Sequence, residues 1–242
     1  MSERLQNKNT VGYADQYDWR TAGAQLADNG FAVLNSLLEK DLCTELRTFY
    51  TQEQRFRKKV IMARHGFGRG EYQYFTYPLP EIVHTLRHEL YAKLAPIANL
   101  WNQQLSLSHT FPQDLSAYLD DCHRKGQTRP TPLLLKYGAS DYNCLHQDLY
   151  GDEVFPLQVV VQLSRPLEDF IGGELVMTEQ RPRMQSRVSV IPLQQGDAAI
   201  IPVNIKPKLG GRGFYRVNMR HGVSEVRRGE RYTLGIIFHD AK

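Results

Sequence analysis

From Pro132 to the C-terminus the sequence breaks into short apolar runs of β-forming residues, and this texture most constrains the fold. The clearest runs are Leu133 to Tyr137, Pro156 to Ser164, Glu174 to Thr178, Val188 to Leu193, Asp197 to Val203, Phe214 to Met219 and Tyr232 to Phe238. Asp141, Gly172-Gly173, Gly196-Asp197 and Gly210-Gly211 punctuate them with turn chemistry. Seven runs in about 110 residues, with no helical stretch between them, exclude a βαβ architecture. They predict a mainly β sandwich or jelly roll of eight or so strands.

The preceding half reads mostly as helix. Thr21 to Tyr50 carries apolar residues at mixed spacing and is interrupted at Gly30, so Phe31-Ala-Val-Leu34 reads as a short strand between two amphipathic helices. Glu81 to Gln104 places Ile82, Leu86, Leu90, Leu94, Ile97 and Leu100 at three- and four-residue steps, the period of a one-sided core helix. Arg55-Phe-Arg-Lys-Lys59 reads as a solvated helix face. Between these helices, residues 64–78 alternate glycine, arginine and aromatic residues, which suits a mobile loop or hairpin.

A chain of 242 residues suits one β-rich unit with an accessory part. The expected organisation is a single domain over 1–242, with helical support over 1–130 and a jelly-roll catalytic core over 131–242. Hydrophobic residues at 41% and charged residues at 23% exclude a disordered or fibrous chain. No run approaches eighteen uncharged apolar residues and MSERLQNKNT lacks an apolar signal region, so no membrane association and a cytoplasmic protein are expected. Cys43, Cys122 and Cys144 are odd in number and widely spaced, which predicts free thiols. The net charge of +4 tolerates a polyanionic partner without requiring one.

The chemistry concentrates in His146-Gln-Asp148, His221 and Arg231. Eight histidines and thirteen aspartates in 242 positions place about 0.4 His-x-Asp pairs by chance, so the pair alone is weak. Its context is stronger. His146 and Asp148 end a β-run, where residues two apart point to one side and can hold one ion. His221 follows another β-run, and two imidazoles with one carboxylate leave three positions of an octahedral ion open, as in non-haem Fe(II) oxygen chemistry. Taken singly, a surface His146 and a core His221 are the competing readings. Arg231 opens an apolar strand ten residues after His221. Inside a barrel it needs an anion, because an unpaired buried charge is expensive. A dicarboxylic acid chelating the metal at its other end supplies one, with Thr233 on the same face adding a hydroxyl. An exposed arginine paired with Glu225 or Glu230 is the alternative.

The pattern His146-x-Asp148, His221, Arg231-x-Thr233 resembles the ligand and co-substrate signature of the Fe(II)- and 2-oxoglutarate-dependent dioxygenases. Phe170-Ile-Gly-Gly-Glu-Leu175, Gln195-Gly-Asp197, and His221-Gly-Val-Ser with Gly229-Glu-Arg231-Tyr resemble the prolyl-hydroxylase branch. Lys136-Tyr137-Gly-Ala-Ser-Asp141 leading to His146-Gln-Asp148 resembles the AlkB nucleic-acid demethylases instead, and there a tyrosine at the position of Tyr137 hydrogen-bonds the co-substrate. The whole is most similar to bacterial AlkB-related oxygenases that act on damaged nucleic acid. The resemblance covers about residues 131–240. It implies a double-stranded β-helix (cupin-like jelly roll), Fe(II) held by His146, Asp148 and His221, 2-oxoglutarate held by Arg231, Thr233 and Tyr137, and O2 as oxidant. Two positions depart from the AlkB pattern: Leu135 stands where those enzymes carry asparagine, and Ile237 where they carry a second arginine.

On the substrate side, Arg64, Arg69, Tyr72, Tyr74, Phe75 and Tyr77 offer flat rings for a flipped base and cations for phosphates. An edge hairpin packed on the core is an equal reading of the same alternation. Lys206, Lys208, Arg212, Arg216 and Arg220 are a second basic stretch, able to follow a phosphate backbone or to form a solvated loop. Cys144 reads as a hydrophobic strand residue, and His239 carries no role. The expected partner is single-stranded or damaged nucleic acid. A protein or small-molecule hydroxylase is the alternative, and a non-catalytic cupin-like binding module the least favoured.

Overall fold

The computed structural model describes residues 12–242, so the polar N-terminal stretch MSERLQNKNT lies outside the described residues. The first half contains α1 (Trp19–Asn29), β1 (Ala32–Leu34), α2 (Lys40–Thr48), β2 (Phe56–Ile61), β3 (Gly68–Arg69), β4 (Glu71–Phe75), α3 (Glu81–Gln104) and α4 (Leu115–Arg124). Then come β5 (Leu133–Tyr137), β6 (Tyr142–His146), β7 (Leu157–Gln162), β8 (Phe170–Gly172), β9 (Leu175–Gln180) and β10 (Arg187–Ile191). β11 (Ala198–Pro202), β12 (Ile205–Gly210), β13 (Gly213–Val223), β14 (Val226–Gly229) and β15 (Arg231–Ile236) complete the fold.

The strands form a jelly roll. A seven-stranded major sheet runs β1-β11-β7-β15-β5-β4-β2, and a minor sheet runs β10-β9-β13-β6-β3 with β12 beside β13. The two-residue period of the major sheet separates two environments. Val159, Val161, Leu134, Leu234 and Ile236 face outward into a core shared with Leu86, Leu90 and Leu94 of α3. The alternate residues Gln158, Val160, Leu133, Leu135, Thr233 and Gly235 line a cavity inside the roll. Helix α3 therefore buries the back of the sheet whose front carries the site. Helix α1 braces β1: Asp18 caps its N-terminus by accepting from the Arg20 and Thr21 amides, and Gly30 closes it at φ 82°. No helix among the described residues is long and apolar enough to cross a membrane.

Residues 1–130 are not helical support alone, because β1, β2 and β4 join the major sheet and β3 joins the minor one. Arg55 to Lys59 runs into the edge strand β2, where Lys58 and Lys59 are both exposed, rather than forming a helix face. Segment 64–78 is likewise not a free loop. Its β4 pairs with β2 on one side and β5 on the other. The aromatic alternation that fits a lid also fits a half-buried strand, and pairing on both edges decides for the strand.

Candidate metal and co-substrate site

Strand register assembles the site. His221 on β13 is the direct antiparallel partner of His146 at the end of β6, which sets the two rings 4.3 Å apart. Asp148, two residues past His146, brings its carboxylate between them: Oδ1 lies 3.5 Å from His146 Nε2 and Oδ2 3.2 Å from His221 Nε2. The candidate ligand atoms of these three residues all lie within 4.8 Å of one another. No other group of three or more His, Cys, Asp or Glu side chains among the described residues does this. The carbonyl of Cys144 lies 2.8 Å from His146 Nδ1, which leaves Nε2 facing the carboxylate.

The surroundings favour an anionic Asp148 between imidazoles. Burial alone would raise the Asp148 pKa, but its contacts with His146 and His221 hold it well below the usual carboxylate range. Burial lowers the pKa of His221. At His146 burial acts in the same sense, and the hydrogen bond and charge of Asp148 outweigh it and raise the pKa. Two imidazoles and one carboxylate on one face fit a divalent iron and leave positions for other ligands. Two further residues hold Asp148: the Tyr150 hydroxyl donates to Oδ1 at 2.6 Å and the Gln158 amide donates to Oδ2 at 2.9 Å.

Arg231, Thr233, Gly235 and Ile237 form one row across the cavity floor, and the cavity holds about 270 Å³. Arg231 heads the row opposite Tyr137. It is 1% exposed, and its Nε and Nη1 have no hydrogen-bond partner. The surface-pair alternative is thereby excluded, since Glu230 pairs with Lys136 instead. Burial lowers the Arg231 pKa to about 10, so the group is a cation at neutral pH. Tyr137 is fully buried beneath it, with the guanidinium 5.6 Å from the ring centre. One buried cation with free donors at the end of a cavity, and a metal-ligand set on its wall, fit a dicarboxylic 2-oxo acid. Leu135 and Ile237, at the two positions departing from the AlkB pattern, both line this cavity and make its wall apolar.

The expected substrate residues separate into two groups. Tyr72 lines the cavity, and Arg64 and Arg69 are exposed near it, the first on a helical turn before β3 and the second on β3 itself. Phe75 does not serve a substrate: it is 0% exposed and stacks on Phe56 at 4.8 Å in the core. Tyr74 is buried between Tyr72 and Tyr150 and does not line the cavity. Tyr77 is tied to the C-terminal segment, donating to Asp240 at 2.9 Å. Lys206 is a fully buried lysine paired with Glu179 at 3.2 Å and donating to the Ala27 carbonyl, so it is no phosphate contact. Cys144 is exposed rather than packed, and all three cysteines are free. His239 is buried and accepts from the Phe155 amide, a structural position.

Sequence reasoning missed Phe67 and Leu149, which line the cavity while remaining about half exposed and so flank its mouth. It also missed Tyr150 and Gln158. The signals existed: Tyr150 is two residues beyond Asp148, and Gln158 is a polar residue in the apolar run Leu157–Val161.

Solved structures share this fold. A Pseudomonas putida prolyl-4-hydroxylase aligns over 93% of this chain and 100% of its own, at 15% identity and a TM-score of 0.53. A Trichoplax adhaerens prolyl hydroxylase, solved with a hypoxia-inducible-factor peptide, aligns over 92% of this chain and 89% of its own, at 14% identity and a TM-score of 0.53. Jelly roll, ligand set and buried arginine together define the class: the Fe(II)- and 2-oxoglutarate-dependent dioxygenases, which use O2 as oxidant. Within that class, a family model described as an oxygenase catalysing oxidative methylation of damaged DNA matches residues 70–241, and the chain belongs to this family. An uncharacterized protein of Mycobacterium tuberculosis is 48% identical over 167 residues, 69% of this chain and 72% of that one.

Proposed function

We propose that the protein oxidatively removes N-linked methyl groups from bases of damaged, single-stranded nucleic acid. The observation that carries the reading is the buried, unpartnered Arg231 at one end of a cavity whose wall holds His146, Asp148 and His221. When bound, Fe(II) with 2-oxoglutarate and O2 supplies oxidation of a C–H bond, coupled to decarboxylation to succinate and CO2. The chain's own residues do the rest. Arg231 grips the distal carboxylate, Thr233 and Tyr137 add hydroxyls beside it, and the apolar wall of Leu133, Leu135, Val160 and Ile237 keeps water from the reacting end.

The family description supports a nucleic-acid substrate. So does the mouth, where Phe67 stacks on His65 at 5.3 Å with Tyr72 on the wall and Arg64 and Arg69 outside. A base drawn out of its strand finds aromatic faces there, and its phosphates find cations. On an N-methyl carbon, hydroxylation gives an N-hydroxymethyl group that breaks to formaldehyde and the unmodified base. A second reading, hydroxylation of a peptide or metabolite C–H, draws on the apolar Leu135 and Ile237 in place of polar groups. Free cysteines and an intracellular co-substrate support a cytoplasmic setting. Formaldehyde release from an N-methylated oligonucleotide, dependent on Fe(II) and 2-oxoglutarate, tests the proposal. A stable alcohol formed on a peptide or metabolite, with no formaldehyde from any oligonucleotide, would move the assignment to the second reading.

A further inference from the structure

Charge is unevenly distributed along this chain. Residues 175–223 contain eight lysines and arginines and two acids, a balance of +6 in a chain whose total is +4, so the remainder sums to −2. Both acids of the stretch are buried. Glu179 is 6% exposed and is neutralised by Lys206 and Arg181, and Asp197 is 7% exposed and accepts the Ser36 and Gln194 amides. Arg183, Arg187, Lys208, Arg212, Arg216 and Arg220 are left facing solvent wholly or in part, and none forms an ion pair among the described residues. Several surface cations elsewhere pair with acids, as in Arg47–Asp169, Lys59–Glu71, Lys136–Glu230 and Arg165–Glu168, although Lys40, Arg227 and Arg228 do not among the described residues. An unneutralised stretch of this length on a weakly charged protein gives it a local positive potential, to which Arg216 and Arg220 contribute on one face of β13.

The fold gives the patch a direction. On β13, Val217, Met219 and His221 point into the roll, so Phe214, Arg216, Asn218 and Arg220 share its outer face. β13 pairs with β6, which exposes Tyr142 and Leu145, and β6 pairs with β3, where Arg69 is the register partner of Tyr142. Gly222 lies against the Asn143 and Cys144 backbone, so β13 carries no side chain of its own at the position two residues past Arg220. β3 is preceded directly by Phe67, which lines the cavity mouth. Cations and exposed rings thus follow one sheet surface from Arg216 to the mouth.

We infer that the outer face of the minor sheet is a docking track for the backbone of single-stranded nucleic acid, which crosses Arg216, Arg220 and Arg69 before a base enters past Phe67. Phosphates meet the arginines, and Phe214 and Tyr142 offer stacking faces that do not discriminate between bases. The inference rests on the substrate class given under Proposed function and adds where the strand lies.

Fluorescence anisotropy of a labelled, unmethylated single-stranded oligonucleotide, measured across a salt series, tests it. Each phosphate that is no longer neutralised should reduce the slope of log K against log salt by about 0.7, so Arg216→Ala with Arg220→Ala should lower it by about 1.4 and weaken binding several-fold. Arg216→Glu with Arg220→Glu should weaken it further, whereas Arg124→Ala on α4 should leave affinity and slope unchanged. Wild-type binding that keeps its affinity and slope in both double variants would overturn the track while leaving the substrate reading standing. Absence of any wild-type binding would overturn both.

Discussion

Tyr150 donates a 2.6 Å hydrogen bond to Oδ1 of Asp148, and the other carboxylate oxygen is held by Gln158 at 2.9 Å. Each donor is neutral and largely withdrawn from bulk solvent, and together they fix the rotation of the only anionic member of the ligand set. Groups that orient a metal ligand typically contribute 10–100-fold in metal affinity or activity. Tyr150→Phe, which removes one hydroxyl and keeps the ring against Tyr74, should therefore raise the Kd for Mn(II) or Co(II) by about 10-fold or more. Gln158→Met should do the same through the other oxygen. Calorimetric titration of the metal-free protein reads both, and equal affinities in wild type and variants would mean that Asp148 is oriented by its backbone and the two histidines alone.

Arg231 forms no ion pair and leaves Nε and Nη1 without hydrogen-bond partners, so its truncation should be felt by the co-substrate more than by the fold. Arg231→Ala should cost about 2–5 kcal/mol of 2-oxoglutarate binding, visible as a raised KM. Arg231→Lys should recover part of this through charge without the bidentate geometry. A KM unchanged in the alanine variant would remove the arginine from the co-substrate site.

Phe67 and Phe75 stand eight residues apart and should behave oppositely. Phe75→Ala deletes a fully buried ring stacked on Phe56 and should cost about 3–5 kcal/mol of stability, read by thermal or urea unfolding. Phe67→Ala removes a ring that is 47% exposed at the mouth. It should leave the unfolding midpoint nearly unchanged and weaken single-strand binding by about 1–3 kcal/mol through the missing stacking face. The reverse pattern would place the substrate against β4 instead.

Glu179 gives a pH-dependent contribution outside the active site. Burial opposes its ionised form, yet Arg181 and Lys206 lower its pKa below the ordinary 4.5. The folded state thus binds this proton less readily than the unfolded chain, so the group stabilises above pH 4.5 and loses that contribution as pH falls through its folded value. Urea unfolding at pH 7 and at pH 4 should show a smaller acid loss in Glu179→Gln than in wild type. Equal losses would show that other carboxylates carry the acid limb.

The jelly roll was legible because its strands are apolar runs bounded by turns, and the grouping of His146 with Asp148 because the two are close in sequence at a strand end, although β6 stops at His146 and Asp148 lies just past it. Helix α3 follows the spacing of its leucines from Leu86 to Leu94, whereas Leu100, expected on the same core face, is 50% exposed. Segment 64–78 was less legible, since a strand buried at one end and wet at the other shows the same aromatic alternation as a lid. Only its pairing with β2 and β5, a long-range property, separates Tyr72 at the cavity from Phe75 in the core. Lys206 misled for a related reason: the acid that neutralises it is 27 residues away in sequence and meets it only across the sheet.

The most direct measurement of the central claim is conversion of 2-oxoglutarate to succinate by purified protein supplied with Fe(II) and O2, in wild type and in Asp148→Ala. Removing the carboxylate leaves two imidazoles that cannot hold the ion facially, so succinate formation by the wild type should vanish in the variant while circular dichroism shows the roll still folded. Succinate formation that persists in folded Asp148→Ala would contradict the assignment of His146, Asp148 and His221 as the iron site.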